Sequence, residues 1–147
     1  MVRTHGPAAT PGFFAEEACA EIVGELNKPI RCIFRVTGLR DHEAVAAGFD
    51  PVTIGFEADD HKAYYPGSHK ISMRYTGDRV TGRLLGVQLF GHKHAEIAKR
   101  VDIAATAIFS GTTVDDMSEL DLSYTPPLGS PWDAVQMGAQ AWVKAPK

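Results

Sequence analysis

Two hydrophobic patterns divide this chain: alternation of apolar and polar residues, and apolar residues that recur every three or four positions. Alternation is typical of a strand with one buried face, and the longer period is typical of an amphipathic helix. Strands are predicted near 30–37, 51–58, 69–77 and 82–91, and a glycine-bounded turn over 77–82 joins the last two as a hairpin. The apolar set of the first strand, which we predict to be its buried face, is Ile30, Cys32, Phe34 and Val36.

Helices are predicted at about 11–26, 40–47, 94–110, 113–119 and 131–144. The apolar stripe of the long helix consists of Ile97, Val101, Ala104 and Ile108. Gly111 ends that helix, and Thr112 or Thr113 caps the next one. The last helix is predicted to begin with Ser130 as its cap and Pro131 in its first turn.

These elements predict the α+β class: an antiparallel β-sheet of about four to five strands covered on one face by helices, an α+β sandwich. Residues 1–9 are expected to be disordered. Residues 10–147 are expected to form a single domain with an extra N-terminal helix at about 11–26. The glutamates of that helix are typical of a solvated surface, and a docking face for a basic partner is the alternative.

Composition narrows the function classes. The chain has 147 residues, room for one domain of ordinary size, and a formal net charge of −3. That charge argues against nucleic acid or an anionic membrane as the main partner. The sequence has no apolar run of the roughly 20 residues that span a bilayer, and it starts without an apolar signal segment. Cys19 and Cys32 form no Cys-x-x-Cys pair, so we expect reduced thiols in a cytoplasmic protein.

Tyrosines in two proline-containing loops are the candidate chemical groups. Pro126-Pro127 forbids helix around Tyr124 and holds it on a stiff extended segment. Tyr64 and Tyr65 precede Pro66-Gly67 in a second loop. The simplest interpretation of each is a rigid surface loop with one packed tyrosine.

Four histidines raise the question of a metal site. His92 and His94 lie two residues apart, and His61 and His69 come earlier, near a pair of aspartates. Imidazoles spaced in this way are able to share a metal ion. Polar surface residues are also expected at such a strand-to-helix junction, and we predict no metal site.

The segment Asp-Leu-Ser-Tyr-Thr-Pro-Pro at 121–127 resembles the Asp-Leu-x-Tyr-x-Pro-Pro signature of a known family. That family is the C-terminal dimerisation domain of FAD- and NAD(P)-linked disulfide reductases, in the coenzyme A-disulfide reductase and NADH oxidase branch. The loop at 61–67 is similar to the family's Tyr-Tyr-Pro-Gly loop. Further landmarks follow the family's order over residues 37–142. The front end differs, which favours a free-standing protein over an excised domain.

The resemblance implies a homodimer in which Tyr64 or Tyr65, with Tyr124, reaches the partner's redox cysteine as a catalytic group. The implied dimer interface contains Tyr124, Pro126, Pro127, Trp132 and Met137, with Trp142 as a further candidate; Trp132 and Trp142 are alternatively core residues. FAD and NAD(P)H belong to the parent family, and the Gly-x-Gly-x-x-Gly turns that hold them are absent here. We therefore expect no bound cofactor and no activity from this chain alone. Two alternatives stay open: a partner subunit of a separate flavin reductase, and a stand-alone binding protein or repurposed enzyme with a tyrosine-lined cleft.

Overall fold

The computed structural model describes residues 32–146, so the predicted disordered start, the helix at 11–26 and Cys19 lie outside the described residues. The described elements form a four-stranded antiparallel sheet with helices, which confirms the predicted α+β class. In chain order they are β1 (Cys32–Gly38), α1 (Asp41–Ala46), β2 (Pro51–Asp59), β3 (Lys70–Asp78), β4 (Leu84–His92), α2 (Ile97–Phe109), α3 (Val114–Ser118) and α4 (Ala134–Lys144).

The four strands form one antiparallel sheet in the order β1-β4-β3-β2. One face of the sheet carries the core, where Met73 is paired with Leu89 and Tyr75 with Val87. Helix α2 packs on β4 and β1, and α4 packs on β2 and β3, so the two long helices cover this face. Within residues 32–146 no helix has the length and apolar character needed to cross a membrane.

Strand β1 forms near the predicted position, but the predicted buried face is wrong. Phe34 and Val36 are exposed, whereas Ile33 packs against the core. Cys32, in register with His92, lies on the same face as Phe34 and is only half-buried. Both faces of this strand carry apolar side chains. The face that is buried is the one on which a helix packs, and that helix comes later in the chain.

Helix α4 begins three residues later than the predicted start at Pro131. Asp133, not Ser130, is its cap: the Asp133 carboxylate accepts a hydrogen bond from the Val135 N–H at 3.0 Å. The Asp133 N–H donates to Oε1 of Gln136 at 3.0 Å, which completes a capping box. Trp132 therefore precedes the helix, although the predicted boundary put it inside.

For Trp142 the sequence left two alternatives, the dimer interface and the core of the protomer. The structure supports the core, where Trp142 is buried. Its ring is buried, and its indole N–H donates to the carbonyl of Val52 at 2.7 Å. The ring packs so closely on β3 that a Cβ added to Gly77 would lie 2.5 Å from it. This contact fixes α4 against the sheet, and the loop that precedes α4 is anchored with it.

Candidate functional site

The first tyrosine-bearing segment is a loop over residues 60–69, called here the tyrosine loop. Asp60 closes it: the Asp60 N–H donates to the His69 carbonyl at 3.0 Å, and the His69 N–H donates to the Asp60 carboxylate at 2.8 Å. At the tip, Tyr64 is 76% exposed and Tyr65 is half-buried, with their ring centroids 4.9 Å apart. The loop has a fixed base and presents its phenols at the surface.

The second segment, over residues 120–133, is called here the proline arm. Its tip is a turn in which the Thr125 carbonyl accepts hydrogen bonds from the N–H groups of Leu128 at 2.8 Å and Gly129 at 2.9 Å. Tyr124 enters this turn and is 47% exposed. At the base, the side-chain amide of Gln136 donates to the Leu120 carbonyl. Because Gln136 also binds Asp133, one side chain holds both ends of the arm.

Arg100 joins the bases of the two segments. It is fully buried in the first turn of α2, and its guanidinium forms a two-pronged pair with the carboxylate of Asp133, at 3.0 Å from Nε and 2.9 Å from a terminal nitrogen. The same terminal nitrogen donates to the Asp60 carbonyl at 2.8 Å. A buried charge is tolerated when it is paired with an opposite charge and hydrogen-bonded, and the guanidinium of Arg100 meets both conditions.

A groove of about 240 Å³ lies where the two segments meet. His61, Lys62 and Ala63 of the tyrosine loop line it together with Ser130 of the proline arm and Met137 of α4. Tyr64, Tyr65 and Tyr124 are not among its lining residues. The bases of the loops therefore share a surface, and Met137, predicted at the interface, lies on it.

The histidines are brought together in part. The rings of His69 and His92 stack with centroids 4.0 Å apart, and His94 lies 5.1 Å from His92. His61 contacts Asp60 instead, with its Nδ1 3.1 Å from the carboxylate. Among residues 32–146 no three histidine, cysteine or acidic side chains are arranged to hold a metal ion.

Sequence reasoning missed the residues that hold the loops. Asp133 and Gln136 carried a usable signal, since Asp-x-x-Gln before an apolar run is a capping pattern. Arg100 carried another, because it follows Ile97 by three positions and so shares the apolar stripe of α2. A charged residue on such a stripe predicts a buried partner.

Apolar side chains are exposed along the proline arm. Leu128 is 61% exposed and Trp132 is 58% exposed, Pro127 is also exposed, and Pro126 is half-buried. Large apolar and aromatic side chains grouped on a surface mark interaction sites more often than chance. The surface they form together with Tyr124 is called here the arm surface.

Fold and loops together define a class: an α+β domain that presents tyrosine-bearing loops on its surface and has no dinucleotide-binding turn in its sequence. The chain belongs to the family described as the dimerisation domain of pyridine nucleotide-disulphide oxidoreductases, which it matches over residues 34–135. The resemblance found over residues 37–142 is thereby confirmed.

Relatives of the chain act in sulfur redox chemistry. The CoA-dependent NAD(P)H sulfur oxidoreductase of Pyrococcus furiosus is 43% identical over 97 residues, which cover 66% of this chain and 21% of that protein. The coenzyme A disulfide reductase of Staphylococcus epidermidis is 28% identical over 100 residues, covering 68% and 22%. The structure of an NAD-dependent persulfide reductase from A. fulgidus aligns with a TM-score of 0.73 and 31% identity, over 79% of this chain and 21% of that one. This chain thus spans about a fifth of these relatives' lengths.

Proposed function

We propose that this chain is the homodimerising domain of an FAD-dependent disulfide reductase, or a protein derived from such a domain. The family match over residues 34–135 carries the proposal, because both tyrosine-bearing segments fall inside it. The arm surface supports self-association, since aromatic and apolar side chains such as Tyr124 and Trp132 are enriched at the centres of subunit interfaces. Pro126, Pro127 and Met137 complete the proposed interface. The half-buried, unpaired thiol of Cys32 is consistent with the cytoplasmic location that we also propose.

The tyrosines are proposed to act on the partner subunit's redox centre. A neutral phenol donates a hydrogen bond to a thiolate or moves its proton, which suits a reaction that cleaves a disulfide. Tyr64 is the stronger candidate of the adjacent pair because it is far more exposed than Tyr65. The relatives' names favour coenzyme A disulfides or persulfides as the substrate class of the assembled enzyme.

Alone, the chain is proposed to bind neither FAD nor NAD(P)H and to reduce no disulfide. A dinucleotide needs backbone N–H groups of a glycine-rich turn for its pyrophosphate, and the sequence has no such turn. Disulfide reduction needs a reactive thiolate beside a source of hydride. The parent family supplies both from other domains, so this domain contributes contacts and phenols only.

A chimera tests the proposed role of the tyrosines. Residues 32–146 of this chain, which include the whole of α4, replace the matching domain of the Staphylococcus epidermidis coenzyme A disulfide reductase, and NAD(P)H-dependent reduction of coenzyme A disulfide is measured. We expect the chimera to be active, with Tyr124→Phe and Tyr64→Phe lowering kcat. Val80→Thr, on an exposed turn, is the matched control. Unchanged kcat in both tyrosine variants would remove the functional role of the phenols.

A further inference from the structure

We infer that Arg100 is a positioning residue that fixes the tyrosine loop and the proline arm relative to each other. The importance of this relative placement rests on the proposed function, in which phenols from both segments reach one redox centre. Arg100 itself is fully buried, and its guanidinium donates to Asp133, Asp60 and Ala95 and not to a phenol.

The planar guanidinium of Arg100 donates four hydrogen bonds. Two go to the Asp133 carboxylate at 3.0 and 2.9 Å, one to the Asp60 carbonyl at 2.8 Å, and one to the Ala95 carbonyl at 2.5 Å. The guanidinium fork is rigid, so acceptors bonded to the same fork are fixed relative to each other. Asp60 and Asp133 are acceptors of this kind, and they lie on different segments.

Each acceptor also closes its own segment. Asp60 binds the backbone of His69 through both its N–H and its carboxylate, which brings the two ends of the tyrosine loop together. Asp133 is bonded to Gln136, and Gln136 is bonded to Leu120, which brings the two ends of the proline arm together. The network therefore runs without a break from one loop base, through Arg100, to the other.

Stability alone is a weak explanation for this arrangement. A buried ion pair often stabilises a protein no more than well-packed apolar residues of similar volume, because both charges lose their water. An apolar side chain at position 100 can fill the same space in α2. It cannot bond to the Asp60 carbonyl and the Asp133 carboxylate at once, and that joint contact is the property that the structure assigns to Arg100.

Tyrosine labelling gives a direct test in the full chain, which has only four tyrosines. With 3-fluorotyrosine incorporated, ¹⁹F NMR resolves one line for each ring. We expect Arg100→Met to shift or broaden the lines of Tyr64, Tyr65 and Tyr124 together. Gln136→Met, which opens only the arm, should alter Tyr124 and leave Tyr64 and Tyr65 unchanged. Arg79→Met, which removes an exposed ion pair with Asp50, is the matched control and should alter none of these lines.

Amide exchange supplies a second readout at the loop bases. In Arg100→Met the N–H groups of both His69 and Asp133 should exchange about tenfold faster or more, while β3 and β4 remain protected. If that variant does not fold, Arg100→Lys keeps the charge but loses the fork, and it should accelerate both amides by a smaller factor. A response confined to one segment, or no response in either, overturns the inference.

The two proposals fail in different ways. If both segments respond to Arg100 but Tyr64→Phe and Tyr124→Phe leave the chimera's kcat unchanged, the positioning role stands and the proposed chemistry of the phenols is wrong. If the tyrosine variants lower kcat but the segments respond separately, the chemistry stands and the positioning role is wrong.

Discussion

Tyr75 and Tyr64 place the same phenol in opposite settings. Tyr75 is fully buried under α4 and donates its hydroxyl proton to the Val135 carbonyl at 2.8 Å. Loss of solvent, and to a lesser degree the nearby Asp133 carboxylate, raises the pKa of Tyr75 far above its ordinary value. Tyr75 is thus a permanently neutral structural donor. Tyr64, at the tip of the tyrosine loop, is available to another molecule.

Removing the two hydroxyls should separate these roles. Tyr75→Phe removes the buried hydrogen bond to the Val135 carbonyl, so we expect the free energy of unfolding to fall by about 0.5–1.5 kcal/mol. Tyr64→Phe, the matched control, removes an exposed hydroxyl and should leave the free energy of unfolding near the wild-type value. Urea denaturation of both variants measures the difference. Equal effects would contradict the assignment of Tyr75 as a structural donor.

Glu43 gives the fold a pH dependence in acid. The guanidinium and backbone N–H of Arg40 both donate to the Glu43 carboxylate, at distances from 2.9 to 3.3 Å. These bonds lower the pKa of Glu43 from 4.5 to about 2. Because the folded-state pKa is the lower one, the stabilisation is complete above pH 4.5 and is lost as the pH falls towards 2.

Replacing Glu43 removes this titration. In Glu43→Gln the free energy of unfolding should fall less steeply with decreasing pH than it does in the wild type, over the window from pH 4.5 to about 2. Urea midpoints measured across this window give both slopes. Identical slopes would show that Glu43 titrates in the same way in the folded and unfolded chain.

At the scale of elements, local patterns were sufficient for the parts whose signals lie within a few residues. Strands β2, β3 and β4 and helices α2 and α3 lie where predicted, with ends shifted by at most a few residues. The start of α4 was not predictable from the Ser-Pro pair. Asp133 caps the helix instead, because it forms both a capping box with Gln136 and an ion pair with the buried Arg100. The buried face of β1 was ambiguous because Ile33 and Phe34 point to opposite sides.

Close packing between α4 and β3 leaves no room for a side chain at Gly138 of α4. A Cβ added to Gly138 would lie 2.4 Å from the ring of Tyr75. Gly138→Ala should therefore lower the free energy of unfolding by about 1–3 kcal/mol, although alanine favours helix by about 1 kcal/mol over glycine. Gly129→Ala meets open space and should change it by less than about 0.5 kcal/mol. A more stable Gly138→Ala protein in urea denaturation would contradict this packing.

At the scale of the whole molecule, the candidate site was predictable as separate loops and not as a unit. Tyr64, Tyr65 and Tyr124 lie on surface loops, as their proline-containing sequences predicted. The connection between the loops depends on Arg100, which is 40 residues from Asp60 and 33 from Asp133 in the chain. Contacts over such separations follow from the packing of α2 and α4 on the sheet, and no local pattern encodes them.

Self-association is the central claim of this account, and the molar mass of the full chain in solution tests it most directly. Multi-angle light scattering at micromolar concentration should give twice the chain mass of 15.9 kDa, as a symmetric dimer requires. Trp132→Ser, on the arm surface, should shift the mass towards the monomer, and Val80→Ser, on the exposed hairpin turn, should not. A wild-type mass of 15.9 kDa at these concentrations would contradict the claim.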